Sequence, residues 1–324
     1  MLSLKVIIII CIALILDRIF GDPLNIPHPI IYIGKLISKL EKSIRKSKIP
    51  LKAGGFILLF ATVGITVTII TLLLFACGKI HPYVRDVVTT YLLYTSLAAK
   101  CLKDEVLKVY KAIDEDDLDL SRKQLSYLVG RDTNHLTQEE VIRGAVETTA
   151  ENTVDGILAP LMFIGIGFIF NIPVQFVFMY KAVNTLDSMV GYLHSHYKDI
   201  GFASAKTDDI FNYIPARIGS FFMLLAGGIL RYNFRKGWII LKRDNRNHKS
   251  PNCGYPESVV AGLLNIQIGG TNTYFNEVVV KPTIGDIGEG LSGKHIIEST
   301  KIMYVSEIIT VGIICLVSLI IYFI

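Results

Sequence analysis

Uninterrupted apolar runs are the feature that most constrains this chain. Residues 54–77 contain no charged side chain, and a helix of about 20 apolar residues is long enough to cross the hydrocarbon core of a bilayer. With 51% hydrophobic residues and a mean hydropathy of +0.48, we predict an all-α, multi-pass integral membrane protein with cytoplasmic helical and loop-rich segments. We treat residues 1–324 as one membrane domain. Its predicted spans lie near 4–20, 54–77, 84–100 and 302–324, with interrupted apolar segments at 156–180 and 213–230.

The charged residues indicate which kind of molecule the protein contacts. Charged residues make up 19% of the chain and the formal net charge is +5. Basic side chains cluster beside apolar segments, which favours anionic lipid headgroups over nucleic acid. The five cysteines include no Cys-x-x-Cys pair. We therefore expect neither a zinc site nor a disulfide framework.

Basic loops set the expected orientation. The loop after the first span is rich in lysine and arginine, so the positive-inside rule places it in the cytoplasm. Its segment 33–48 has an apolar face, which predicts a helix lying on the membrane surface; that face comprises Ile33, Leu36, Ile37, Leu40 and Ile44. Segments 101–155, 181–217 and 231–300 are also expected on the cytoplasmic side.

Two later segments are marked by helix breakers. Asn171-Ile172-Pro173 interrupts 156–180, so this segment is either two half-helices that dip into the bilayer and return or one kinked span. Residues 251–293, rich in Gly, Asn and Pro, read as loops.

An acidic stripe follows a helix start. Thr137 and Glu140 form a predicted capping box, and the helix after it carries Arg143, Glu147, Glu151 and Asp155 at four-residue spacing. Arg143 can pair with Glu147, whereas the other two carboxylates have no local partner. Because an apolar segment comes next, the stripe indicates a bound cation or charged ligand. The alternative is a solvated helix face with one salt bridge.

Three more polar clusters lie beside apolar segments, at 181–188, 208–217 and 248–257. Their carboxylates and amides are ligands that Mg²⁺ uses together with substrate phosphates, and their lysines and arginine are phosphate donors. We predict a magnesium–phosphate site at the membrane surface, with helix capping and loop hydrogen bonding as the alternative for each cluster. The loop 288–295 has P-loop spacing but ends in His295 instead of Ser or Thr, so we interpret it as a glycine-rich loop.

Seven stretches follow one another along residues 17 to about 286: DRIFGDPLNIPHPIIYIGKLI, GRDTNHL, AVETTAENTVDGILAPL, YKAVNTLDSMVGY, FASAKTDDIFNYIPAR, HKSPNCGYPES and LNIQIGG. Together they resemble the CobD/CbiB family, the membrane-bound adenosylcobinamide-phosphate synthases of cobalamin biosynthesis. The resemblance implies an ATP-dependent amide-forming ligase. It would join aminopropanol or its phosphate to a propionate of adenosylcobyric acid, a corrinoid, with Mg²⁺ neutralising the transferred phosphate.

The implied setting is the cell membrane, with the active site on the cytoplasmic side. The expected cofactors are ATP and Mg²⁺. The expected partners are the corrinoid, the amino alcohol (phosphate), the lipid bilayer and other cobalamin-pathway membrane proteins, with no nucleic acid.

Roles within the site are assigned from residue chemistry. The predicted catalytic residues are Glu147, Glu151, His28 and His248. The predicted cofactor-binding residues are Lys181, Asn184, Arg217, Lys249, Ser250 and Asn252. The predicted metal ligands are Glu151, Asp155, Asp187, Asp208 and Asp209.

Two other classes remain open at this stage. A magnesium-dependent CDP-alcohol phosphotransferase also uses paired aspartates at a membrane face, but its full run of spaced aspartates is absent. A transporter of a charged solute could place its site at the broken segment 156–180, although no inverted repeat is visible.

Overall fold

The computed structural model describes residues 2–23, 28–192, 196–274, 277–288 and 290–323. The chain divides into two compact units, both discontinuous in sequence. Unit 1 comprises Met1–Ala98, Pro160–Asn212 and Ile313–Ile324, and unit 2 comprises Ala99–Ala159 and Tyr213–Gly312.

Unit 1 is helical throughout its described part. Its long helix α3 (Leu51–Ile80) packs against four other helices of the unit, α2, α4, α9 and α10. The core beneath them includes Leu58, Phe178 and Tyr180. The helices are α1 (Leu2–Phe20), α2 (Pro29–Lys46), α3, α4 (Pro82–Tyr94), α8 (Ala159–Ile169), α9 (Pro173–Val190) and α10 (Phe202–Phe211).

Unit 2 is built around α7, which packs on α5, α6 and α13. Helix α13 also carries α11 and α12 on its surface. The elements are α5 (Ala99–Asp114), α6 (Leu118–Ser126), α7 (Gln138–Thr153), a π-helix (Val154–Leu158), α11 (Tyr213–Ile229), α12 (Phe234–Asp244), α13 (Gly254–Leu264), β1 (Ile268–Tyr274) and β2 (Glu277–Ile284). Helix α14 (Gly293–Phe323) begins in this unit.

Three helices in the described part of the chain are long and apolar enough to cross a membrane: 51–80, 138–169 and 293–321. The bent pair 202–211 and 213–229 would make a fourth. The molecule is therefore an all-α membrane protein, as the apolar runs predict. The segments near 4–20 and 84–100 do not meet the same test, because α1 carries three charged residues and α4 has 13 residues. Their assignment as spans stays a prediction.

The helix is interrupted at the position expected inside 156–180. Helix α8 ends at Ile169 and Pro173 is the first residue of α9. Asn171 between them adopts a left-handed φ of 61°, a conformation that asparagine tolerates better than most residues.

Two local predictions are wrong. Residues 251–293 are not loops, since they contain α13 and an antiparallel hairpin that pairs Ile268 with Ile284. Pro256 misleads there because it lies in the first turn of α13, where its missing N–H costs nothing. The apolar face of α2 packs against protein and not against the membrane surface: Ile33, Ile37 and Ile44 are buried, and α2 contacts α3 and α9.

Candidate functional site

The residues singled out from the sequence fall into two sets, one in each unit. Unit 1 holds His28, Lys181, Asn184, Asp187, Asp208 and Asp209. Unit 2 holds Glu147, Glu151, Asp155, Arg217, His248, Lys249, Ser250 and Asn252.

Helix α7 positions the acidic residues of unit 2. Its predicted capping box is confirmed: the Thr137 hydroxyl accepts from the Glu140 N–H, and the Glu140 carboxylate accepts from the Thr137 N–H. Next along the helix, Glu147 uses both carboxylate oxygens. Oε2 lies 2.9 Å from the Arg131 guanidinium, and Oε1 accepts from the Gly269 N–H at 2.8 Å. The predicted Arg143–Glu147 pair is longer, at 3.9 Å.

The Arg131–Glu147 pair is enclosed by protein. The two side chains are only 4% and 12% exposed, and Gly144, one turn before Glu147, leaves the space that Arg131 fills. A Cβ at position 144 would collide with the Arg131 guanidinium. Glu147 thus links the loop before α7 to the start of β1, a structural duty in addition to any catalytic one.

The helix changes type where the acidic stripe ends. Residues Val154–Leu158, including Asp155, form a π-helix, a feature that often accompanies functional sites. Gly219 of α11 packs here, since a Cβ at that position would lie 3.2 Å from Leu158 and 3.4 Å from Val154. This close approach brings the first turns of α11, which carry Arg217, beside the π-helix.

Arg217 is held between two aromatic rings. Its guanidinium carbon lies 3.4 Å from the ring centre of Tyr213 and 4.4 Å from that of Tyr255. One guanidinium nitrogen donates to the Tyr213 carbonyl at 2.6 Å and to Asn252 Oδ1 at 3.4 Å. Stacking of this kind fixes a guanidinium plane and leaves its in-plane donors to bind an anion.

The loop 248–253 supplies the next contacts. His248 Nδ1 accepts from the Ser250 N–H at 3.0 Å. The Ser250 hydroxyl oxygen accepts from the N–H groups of Asn252 and Cys253, at 3.2 and 3.4 Å. His248 and Ser250 therefore shape the turn that presents Asn252 and Cys253, while Lys249 is exposed.

Cys253 joins this loop to the acidic helix. Its Sγ donates to Glu151 Oε1 at 3.0 Å. Burial, the charge of Glu151 and the further charges of Asp155 and Glu257 raise the pKa of the Cys253 thiol well above its usual range. The thiol therefore stays protonated and acts as a hydrogen-bond donor to Glu151.

The set in unit 1 is a buried network between α9 and α10. The Tyr180 hydroxyl donates to Asn212 Oδ1 at 2.9 Å, and Asn212 Nδ2 donates to Asp208 at 3.0 Å. Asn184 Nδ2 reaches the same carboxylate at 3.5 Å, and Lys181 is also buried. The structure thus brings together two of the predicted residues, Asn184 and Asp208.

The remaining unit 1 candidates are Asp187, Asp209 and His28. Asp187 stands in the last turn of α9, and Asp209 pairs with Lys206 at 3.2 Å on the exposed side of α10. His28 is the N-cap of α2: its Nδ1 accepts from the Ile30 N–H at 3.3 Å, and its Nε2 lies 3.5 Å from Asp22. Nδ1 is thus used in capping, whereas Nε2 lies at ion-pair distance from Asp22 but makes no hydrogen bond to a described residue.

The chemistry of the donors fits a divalent cation of the magnesium type. Within the described ranges, no three His, Cys, Asp or Glu side chains form a metal cluster. Mg²⁺, however, is usually held by one or two carboxylates with substrate oxygens completing its shell. The negative charge of Glu151, Asp155 and Glu257 acts together on Cys253, and such a field is one that a cation would neutralise.

The glycine-rich loop 288–295 lies partly outside the described residues, at Glu289. In its described part, His295 is buried and its Nδ1 accepts from the Ser292 N–H at 3.0 Å, at the start of α14. Lys294 is exposed.

Sequence reasoning missed several partners in unit 2. Arg131 could have been selected from the sequence, since it lies in the stretch GRDTNHL. Cys253 and Tyr255 were likewise inside HKSPNCGYPES, but a lone thiol and a tyrosine carry no pattern that predicts their partners. Their partners, Glu151 and Arg217, lie far away along the chain.

Comparison with known proteins places the chain in a family. Residues 10–303 match the family model described as CobD/Cbib protein. The chain is 46% identical over 306 residues to "Cobalamin biosynthesis protein CobD" of Clostridium tetani, covering 93% of this chain and 94% of the relative. It is 48% identical over 299 residues to the protein of that name from Clostridium perfringens, covering 91% and 92%. Over 303 residues it is 42% identical to "Cobalamin biosynthesis protein CbiB" of Salmonella typhi, covering 92% of each.

No solved structure matches the chain. The family model and these relatives each extend over most of its length. The chain therefore belongs to the CobD/CbiB family.

Proposed function

We propose that this protein acts in cobalamin biosynthesis as an ATP-dependent ligase of the adenosylcobinamide-phosphate synthase type. It would join aminopropanol, or its phosphate, to a propionate of adenosylcobyric acid. Family membership supports the pathway, since the relatives are named for cobalamin biosynthesis. The choice of an amide-forming reaction rests on the resemblance together with the chemistry of the site.

The observation that carries the proposal is that two consecutive residues, Asn252 and Cys253, contact side chains of opposite charge. Asn252 contacts Arg217, a stacked cation suited to phosphate, and Cys253 contacts Glu151, part of a carboxylate group suited to a cation. A phosphate and a divalent cation bound side by side are what phosphoryl transfer to a carboxylate needs.

The reaction balances in two steps. A propionate oxygen attacks the terminal phosphorus of the cosubstrate ATP, and the bond from that phosphorus to the bridging oxygen breaks. ADP departs, and the propionate becomes an acyl phosphate. The amine nitrogen then attacks the acyl carbon and the carbon–oxygen bond to phosphate breaks. Of the two protons that the ammonium loses, one passes to phosphate and the other to solvent through a base.

Each side chain of unit 2 has a role in this scheme. Arg217 would bind phosphate oxygens with its in-plane N–H groups. Glu151 and Asp155 would hold Mg²⁺, which when bound neutralises charge on the transferred phosphoryl group. The Cys253 thiol would orient the Glu151 carboxylate through its hydrogen bond. Within unit 2, Glu147, Glu151 and His248 are the candidates for the base.

The direct test is the mass of the product formed from adenosylcobyric acid, ATP, Mg²⁺ and aminopropanol phosphate by the purified protein. We expect the product to gain the mass of the amino alcohol phosphate less one water, with one ADP released per turnover. ATP-independent product, or no corrinoid product from a folded enzyme, would refute the proposal.

The site assignment is tested by Glu151→Gln and Asp155→Asn. Both variants should abolish turnover while remaining folded in detergent, because each keeps a polar group of similar size, and any residual activity should need more Mg²⁺. Glu139→Gln is the matched control, since Glu139 is an exposed carboxylate in the first turn of α7. Unchanged activity in both site variants would overturn the assignment.

A further inference from the structure

The outward face of α12 in unit 2 combines exposed large apolar side chains with basic ones, which is unusual for a helix surface in water. Its inner face packs on α13 and consists of Gly237, Ile240, Leu241 and Asp244. The backbones approach closely there, since a Cβ on Gly262 of α13 would lie 2.7 Å from the Gly237 Cα. The helix is therefore fixed in rotation, and its other face is turned outward by packing.

Large apolar side chains lie on that outward face. Phe234, Trp238 and Ile239 are 41%, 39% and 50% exposed. Phe234 and Trp238, four residues apart, lie one turn apart on the same side of the helix, and Ile239 lies about 100° further round the exposed surface. Trp238 is the only tryptophan of the chain, and indole rings favour the headgroup level of a bilayer, where one edge is apolar and the other wet.

Basic side chains alternate with the apolar ones. Arg235, Lys242 and Arg246 are exposed, and the Lys242 ammonium lies 4.5 Å from the centre of the Trp238 ring. The neighbouring Arg243 is bound to Asp244 and Asp286. Among the described side chains, no acidic partner lies within ion-pair distance of the first three. Their charge is thus available to an anionic surface.

Helix α12 directly follows an apolar helix that exposes large side chains. Helix α11, which can form part of a span, exposes the apolar side chains Ile214, Ile218, Phe221 and Ile229. The chain then turns at Arg231, with a left-handed φ of 62°, and enters α12 at Phe234. The exposed apolar surface of α11 is therefore followed directly in the chain by the basic and aromatic face of α12.

We propose that the outward face of α12 binds anionic phospholipid headgroups, with Phe234, Trp238 and Ile239 inserted at the level of the interface. Mixed lysine, arginine and aromatic composition is typical of helices that lie in the membrane plane. Interfaces between proteins are instead depleted in lysine. The proposal is independent of the reaction catalysed.

The single tryptophan makes the test specific. The full-length protein is reconstituted into phosphatidylcholine vesicles in which some acyl chains carry bromine, a fluorescence quencher, either near the headgroup or near the terminal methyl. We expect quenching of Trp238 to be stronger with bromine near the headgroup. Replacing part of the lipid with brominated phosphatidylglycerol should strengthen it further at low salt and less so at high salt.

Matched variants test the charge. Each basic side chain near an anionic surface contributes roughly fivefold in binding, the equivalent of about 1 kcal/mol. Arg235→Gln with Lys242→Gln should therefore lower the preference of the Trp238 site for phosphatidylglycerol by up to about 25-fold. Lys111→Gln on α5, a 76% exposed lysine of the same unit, should leave it unchanged.

Three outcomes would overturn the proposal. One is the absence of quenching by any brominated lipid. Another is a lipid preference that is equal in the double variant and the wild type. The third is Trp238 emission that depends on the protein-to-lipid ratio instead of the lipid type, which would assign the face to a second copy of the chain.

Discussion

Loss of the Glu147 charge tests whether this carboxylate is a structural link or a reacting group. In Glu147→Gln the Gly269 N–H can still donate to an amide oxygen, so the backbone contact is retained. The Arg131 guanidinium, however, keeps its charge in a position where its side chain is 4% exposed. Removing one partner of a buried ion pair costs about 3–5 kcal/mol, because the other charge loses that compensation while it stays buried.

That cost converts into a measurable shift in thermal unfolding. At about 2 °C per kcal/mol for a long chain, the midpoint in detergent should fall by roughly 6–10 °C. The control is Glu105→Gln on α5. Glu105 pairs with Lys108, and the two side chains are 33% and 53% exposed, respectively. A surface pair of this kind is worth less than about 1 kcal/mol, so its loss should move the midpoint by about 2 °C or less.

A double variant separates burial of charge from loss of contact. Arg131→Met combined with Glu147→Gln removes both charges and keeps similar volumes, so it should recover part of the lost stability. The reasoning fails if Glu147→Gln unfolds at the same temperature as the Glu105 control. It also fails if the double variant is less stable than Glu147→Gln alone.

Three further predictions concern the site and its orientation. Lys181→Ala and Arg217→Ala should each lower activity by on the order of a hundredfold or more, whereas Lys294→Ala should lower it only modestly. The three variants are compared at low and at saturating ATP, and an equal loss of activity in Lys294→Ala would show that the nucleotide binds at the C-terminal glycine loop instead. Because the pKa of the Cys253 thiol is raised, less thiolate is present at any given pH. Iodoacetamide should therefore modify Cys253 more slowly in the folded than in the unfolded protein, and the rate should rise only above the usual thiol pH range. Equal rates in the two states, measured by mass spectrometry, would contradict this prediction. Ser188→Cys should escape an impermeant thiol reagent in intact cells if residues 181–217 are cytoplasmic, and labelling there would reverse that orientation.

The helical parts of the fold could be predicted where local chemistry decides the structure. The Thr137–Glu140 capping box needs only residues three apart, and Asn171 with Pro173 interrupts a helix without help from distant contacts. Residues 251–293 could not be predicted in this way. Their Gly and Pro content is compatible with a loop, and only packing of α13 against other helices makes the segment helical.

The candidate site shows the same limit. Residue chemistry could nominate Glu151 and Arg217, but not the partners that orient them. Tyr213 stands four positions before Arg217 on the same helix, a local spacing, but Tyr255 lies 38 positions after Arg217 and Cys253 lies 102 positions from Glu151. Such pairings arise from tertiary packing, which leaves no period or spacing in the sequence. For Glu147 the same packing supplies a second duty that the acidic stripe alone did not suggest.

The space beside Gly144 has a consequence for how this family can change over time. Because any side chain at position 144 would collide with the Arg131 guanidinium, neither position can drift independently of the other. A lineage that acquires a larger residue at 144 must shift or lose the arginine, and either change disturbs the closest partner of the buried Glu147 charge. Every single-substitution route therefore passes through a destabilised ancestor, so glycine, arginine and glutamate should be inherited or replaced as a group.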